Sequence, residues 1–238
     1  MPIIYLSPST QETNHYADGG NEEYYMNLIV DELVPYLNSS GINYLRNNPN
    51  KPVSNAINQS NKEIYDLHLA IHTGEKKGDL SGQTRGANIY YTPGNPESYR
   101  ASKMIYQNFK EIYPIPDKVN QIPNDLLVEL KDTSAPSVLL EIAQHDNYED
   151  AAWVRENIEN IAENIAMSLT EFFSIPLITP KTPQIISTPK TLNLYSRPST
   201  KSEIILTIPP DANLLKLGEW ENWNTVDYLG NIGYIESI

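Results

Sequence analysis

Short apolar runs and helix-periodic segments take turns along most of this chain, and that alternation limits its folds more than any other feature. Ile3-Ile4-Tyr5-Leu6 is a buried-strand pattern ended by the Ser7-Pro8-Ser9 loop. Tyr25, Leu28, Ile29, Leu33 and Leu37 then recur at helical spacing until Gly41 closes the segment. Strands are expected at 42–46 and 66–72, with a helix across 53–64 between them. Further strands are expected at 87–91, 126–131 and 137–142, a helix at about 96–113, and one long helix at about 149–173 with Val154, Ile158, Ile161, Ile165 and Leu169 on one face. Such a text predicts an α/β domain, a mostly parallel sheet flanked by helices, over residues 1–175.

The pattern changes at Thr179-Pro180-Lys181-Thr182-Pro183 and Thr188-Pro189-Lys190, so residues 176–190 read as a Pro/Thr-rich linker. Beyond it, short alternating segments separated by turn residues predict a small all-β barrel over residues 191–238.

The chemistry open to the chain is narrow. Cysteine is absent, which removes disulfides, thiolate metal sites and cysteine nucleophiles and leaves four histidines and the carboxylates. With 17 Lys+Arg against 30 Asp+Glu, the net charge of −13 repels phosphate, so nucleic acid is excluded as an expected partner. No run approaches the ~20 apolar residues of a membrane span, so no membrane insertion is expected. Met1 to Pro8 lacks the charged and long apolar regions of a secretory signal, so synthesis in the cytosol without a signal peptide is expected.

His68 and His72 are four apart on a predicted strand. At about 3.3 Å per residue they would stand roughly 13 Å apart, too far to share one metal ion. His72 ends the strand, at the sheet edge where α/β folds build their sites, and is the candidate ligand; His68 reads as a packed, hydrogen-bonded histidine. Glu22 and Glu23 open the first long helix, where acids also suit the helix dipole alone. Glu141 interrupts Val138-Leu139-Leu140 and Ile142, and a carboxylate buried there needs a partner or a chemical task.

On these residues, 1–175 resembles the zinc-dependent N-acetylmuramoyl-L-alanine amidases (amidase type 3). The family's acidic ligand four before an Asn is matched by Glu23-Tyr24-Tyr25-Met26-Asn27, and its strand-ending histidine by Ala70-Ile71-His72-Thr73. Its P-x-V-L-V-E-x-G-F-x-x-N segment is matched by Pro136-Ser137-Val138-Leu139-Leu140-Glu141-Ile142-Ala143-Gln144-His145-Asp146-Asn147. The departure lies in the family's P-G-H-G-G loop, which here reads Ser7-Pro8-Ser9-Thr10-Gln11-Glu12-Thr13-Asn14-His15. His15 fills the missing role if the loop is longer; the alternatives are Gln11 or a site with one ligand fewer. The resemblance implies Zn2+ held by His15, Glu23 and His72, Glu141 as catalytic general base, and His145 and Arg46 as substrate contacts. It implies hydrolysis of the amide between N-acetylmuramic acid and L-alanine of peptidoglycan, at the bacterial cell wall after release or export. The alternatives are a non-catalytic wall-binding protein on a decayed amidase fold, or a zinc peptidase acting within the stem peptide.

Residues 191–238 resemble bacterial SH3-like domains through Leu192-Asn193-Leu194-Tyr195-Ser196-Arg197-Pro198-Ser199, Trp223-Asn224-Thr225-Val226 and Gly233-Tyr234-Ile235. That likeness implies wall binding with Tyr195, Trp220 and Tyr228 as contacts; in so small a barrel the same rings also serve as core.

Overall fold

The computed structural model describes residues 1–237. Its first sheet contains β1 (Ile3–Pro8), β2 (Asn43–Arg46), β3 (Leu67–Gly74), β4 (Ala87–Tyr91), β5 (Val119–Pro123) and β6 (Ser137–Gln144), in the order β2-β1-β3-β6-β4-β5. β2, β1, β3 and β6 are mutually parallel; β4 runs antiparallel to β6, and β5 is parallel to β4. The sheet is therefore dominated by parallel pairs but carries two reversed strands at one side.

The helices are α1 (Glu22–Ser39), α2 (Val53–Ser60), α3 (Pro96–Ile112), the single turn α4 (Val128–Lys131), α5 (Tyr148–Glu156) and α6 (Ile158–Phe173). Period-two alternation divides each strand between two faces. On one face Ile4, Leu6, Leu69, Ile71, Val138 and Leu140 are fully buried, in one cluster with Met26 and Leu33 of α1, Phe109 of α3 and Ile165 of α6. Each such side chain contributes ~1.5–3 kcal/mol of burial, so this face carries most of the domain's stability. The other face is covered by smaller clusters, Tyr5 with Ala56 and Tyr65, and Ala70 with Leu130 and Leu139. His68 and His72 belong to this thinner face of β3, and Glu141 to the same face of β6.

Three local expectations change. Residues 126–131, expected as a strand, form a loop and the turn α4, because Asn124 Oδ1 takes the backbone N–H of both Leu126 and Leu127 at 2.9 Å. The expected long helix breaks at Asn157, whose φ of −127° and ψ of 25° close α5 and start α6. The edge strand β5, which the sequence pattern did not reveal, joins the sheet beside β4.

The second sheet is entirely antiparallel: β7 (Gln184–Ser187), β8 (Leu192–Tyr195), β9 (Ile204–Ile208), β10 (Asn213–Trp220), β11 (Trp223–Tyr228) and β12 (Asn231–Glu236), ordered β7-β10-β11-β12-β8-β9. It encloses Leu194, Ile208, Leu214, Val226 and Ile235. The segment expected to be a linker contributes β7 to it, and Ile178 N–H donates to Ser40 Oγ at 2.9 Å. The two sheets meet at the end of α1. Ser39 Oγ donates to the Leu217 carbonyl at 3.0 Å, and Tyr234 OH donates to the Ser40 carbonyl. Gly41, at φ 73°, lies against the Tyr234 ring so closely that a Cβ there would sit 2.8 Å from it.

Candidate active site at the carboxyl edge of the first sheet

β3 and β6 run side by side with His72 paired in register to Glu141, so the strands alone set these two residues next to each other. Both line a cavity of about 230 Å³ at the carboxyl ends of the parallel strands, with Ser9, Gln11, Asn47 and Glu129. Glu141 is oriented by the reversed strand β4: Asn88 Nδ2 donates to its Oε2 at 2.9 Å and Tyr90 OH at 3.2 Å. Both bonds end on Oε2 and leave Oε1 free of them. Burial, followed by the Glu141 charge, pushes the Tyr90 phenol well above its ordinary value, so Tyr90 remains a donor. Gly74 makes the approach possible, since a Cβ there would stand 2.9 Å from Glu141 Oε2.

His72 is held from both ends. Nδ1 meets Glu22 Oε1 at 2.9 Å, and Nε2 meets Glu129 Oε2 at 2.9 Å. Glu22 is fully buried at the start of α1, where it also accepts from Asn14 Nδ2 at 2.5 Å and from Thr73 N–H at 3.2 Å, and the helix N-terminus favours its charge. Burial by itself would push the His72 imidazole down, but hydrogen bonds to Glu129 and Glu22 outweigh it and raise the group to about 10. Burial likewise works against the Glu129 and Glu22 carboxylates, yet their histidine partners hold both below the usual carboxylate range.

His68 is fully buried, hydrogen-bonded at Nδ1 to Ser60 Oγ (2.9 Å) and at Nε2 to Glu129 Oε1 (3.3 Å), and it stacks on Tyr5. It is the packed histidine the strand spacing implied. His145 is also buried rather than superficial, with Nδ1 3.1 Å from Thr73 Oγ1, and so touches the residue after His72.

The other expected site residues are not brought to His72. His15 is exposed in a bridge with Asn21. Glu23 Oε1 accepts from Asn27 Nδ2 at 3.2 Å; Asn27 Oδ1 in turn accepts from Arg46 at 2.6 Å, and Arg46 pairs with Asp31. The Glu23-x-x-x-Asn27 spacing thus builds a network on the flank of α1. Glu22, one residue earlier, shares the buried stripe of Met26, Ile29, Val30 and Leu33, and that periodicity is the sequence signal by which it can be found. Glu129 carried no comparable signal, because its segment reads as a strand.

The set His15, Glu23 and His72 therefore does not fit a zinc ion. Glu22 and Glu129 approach opposite ring nitrogens of His72, so one metal ion on that ring meets only one of them. Among the described residues, no group of three or more His, Asp or Glu side chains is arranged to hold a metal. No helix among them is long and apolar enough to cross a membrane.

The sequence model of the N-acetylmuramoyl-L-alanine amidases (Amidase_3) matches residues 9–171, which contain every site side chain just described except Tyr5. No curated protein matches the sequence. Among solved structures, the N-acetylmuramoyl-L-alanine amidase AmiC2 of Nostoc punctiforme is 15% identical with a TM-score of 0.62, over 73% of this chain and 97% of that one. The catalytic domain of the amidase CwlV from Bacillus (Paenibacillus) polymyxa var. colistinus is 14% identical at a TM-score of 0.63, over 74% and 100%. Ami1 from Mycobacterium smegmatis is 17% identical at 0.61, over 73% and 97%. These likenesses are of fold, and together with the match over residues 9–171 they identify the chain as a member of the N-acetylmuramoyl-L-alanine amidase family.

Proposed function

We propose that the chain hydrolyses the amide bond between N-acetylmuramic acid and L-alanine in peptidoglycan, in the cavity shared by His72, Glu129 and Glu141. The observation that carries this reading is Glu141: tethered through Oε2 by Asn88 and Tyr90, it keeps Oε1 open beside the cavity. In that role Glu141 takes a proton from the attacking water and returns it to the alanine nitrogen as the C–N bond breaks, one carboxylate acting first as base and then as acid. His72, drawn to its protonated form, supplies positive charge at the same wall of the cavity. The donors around His72 do not fit the zinc set that the resemblance implied, so the proton transfer rests on Glu141.

One observation favours a second reading, a wall-binding protein that has lost hydrolysis: the expected three-ligand set is not assembled. Digestion of purified peptidoglycan separates the two, scoring new alanine amines against new reducing ends and other stem-peptide termini. Amines released by the wild type and lost in Glu141→Gln, by about 10²-fold or more, support the hydrolase. Binding without any new terminus would support the second reading. A chelator arm reads metal dependence directly, and loss of amine release restored by added zinc would mean that His72 and Glu22 gain a further ligand from outside the expected set.

A further inference from the structure

Glu129 is the one acid at the cavity that neither the sequence pattern nor the family resemblance singled out. It is 3% exposed, and its two oxygens have separate partners. Oε1 accepts from Ser7 Oγ and lies 3.3 Å from His68 Nε2, while Oε2 lies 2.9 Å from His72 Nε2. Glu22 reaches the opposite ring nitrogen from α1. An imidazole tied at one nitrogen can still swing about its Cβ–Cγ bond; tied at both, from two separate elements, it has one orientation left.

His72 and Glu141 are in register on adjacent strands, so the ring orientation fixes the spacing between the two groups that face the cavity. Resting on the reading of this cavity as an amide-hydrolysing site, we propose that Glu129 is a positioning residue of the reaction, holding the His72 ring from Nε2 so that His72 and Glu141 keep a productive geometry. The competing explanation is that Glu129 merely satisfies the hydrogen bonding of the buried His68. The two are separable because they use different oxygens.

The test compares Glu129→Leu, Glu129→Gln and the double variant His68→Leu/Glu129→Leu in the full chain, on soluble muramoyl-peptide fragments, with thermal unfolding measured alongside. The expected result is a kcat about 10- to 100-fold lower in Glu129→Leu with KM nearly unchanged, the size of effect typical when a residue orienting a site histidine is removed. Glu129→Gln keeps an acceptor and should recover most of that loss. The double variant should regain thermal stability but not kcat. Recovery of kcat in the double variant, or a Glu129→Leu kcat within about twofold of wild type, overturns the proposal. A wild type that cleaves nothing sinks the hydrolase reading instead; ring-nitrogen NMR then decides the clamp alone. A His72 Nε2–H signal protected in wild type and lost in Glu129→Leu supports it, and one that persists overturns it.

Discussion

Glu22 and Glu23 differ only by one step around a helix, and that step decides their chemistry. A 100° rotation per residue puts Glu22 on the buried stripe against His72 and leaves Glu23 beside Asn27. Glu22→Gln is expected to cut amine release by about 10²-fold and to lower the unfolding temperature, whereas Glu23→Gln stays within about threefold of wild type. Equal effects from the two variants, measured in the same digestion assay, would refute the assignment. The clamp also has a pH signature. His72 is raised from 6.5 to about 10, so its contribution is complete below pH 6.5 and is lost as pH rises towards 10. Glu22 and Glu129 are lowered from 4.5, so theirs is present above pH 4.5 and is lost as pH falls through the lower folded values. These describe one interaction from its two sides. Unfolding temperatures of wild type minus His72→Gln should therefore be greatest between about pH 5 and 6.5 and shrink by pH 10; a difference that grows over that upper range would contradict the clamp.

At the level of elements, what was legible followed from periodicity and what was not followed from tertiary context. The buried runs of β1, β3 and β6 and the apolar stripe of α1 stand in the sequence because each is buried along its length, and His72 and Glu141 were legible with them as polar residues at strand positions. Residues 126–131 misled because Leu126, Val128 and Leu130 alternate like a strand, yet Leu126 is 81% exposed while the adjacent Glu129 and Leu130 are both buried. The strand reading hid Glu129 on what proved to be a helical turn. β5 escaped because Val119-Asn120-Gln121-Ile122-Pro123 has little apolar content, and its proline is tolerable only at an edge. The close packing of β3 on β6 is itself testable. Gly74→Ala would press a methyl group to 2.9 Å from Glu141 Oε2 and 2.8 Å from Gln144, and so should lower kcat through displacement of Glu141, with a crystal structure of the variant reading the shift. An unmoved Glu141 with full activity would show that the strand spacing has slack.

Across the whole molecule, α1 links and also separates the two sheets. Its first residue supports His72 and its last holds Leu217 of the second sheet, and 18 residues at 1.5 Å each set these points about 27 Å apart. Besides the Pro/Thr-rich linker that the sequence led us to expect, contacts of Ile178, Ser39, Ser40 and Tyr234 join the domains directly, so the second sheet packs at the far end of the helix. Rings on that sheet are therefore set apart from the bond that the proposed reaction cleaves in the cavity, and on that reading any contribution to wall recognition acts on a separate stretch of polymer. Of the three expected contacts, Tyr228 packs against the small core and Tyr195 meets Trp223 edge-on at 5.6 Å, whereas Trp220 is half-buried at the turn end of the β10–β11 hairpin, paired with Trp223. With a net charge of −13 the protein gains nothing from attraction to anionic wall polymers, so on the wall-binding reading hydrogen bonds and stacking on such a ring would supply the affinity. Trp220→Ala should therefore weaken pelleting with insoluble peptidoglycan by about tenfold, roughly 1.4 kcal/mol, while turnover of soluble muramoyl-peptide fragments stays unchanged. If the soluble reaction slowed as much as the polymer reaction, the ring would have to act on the cavity itself, and the separation imposed by α1 would be wrong.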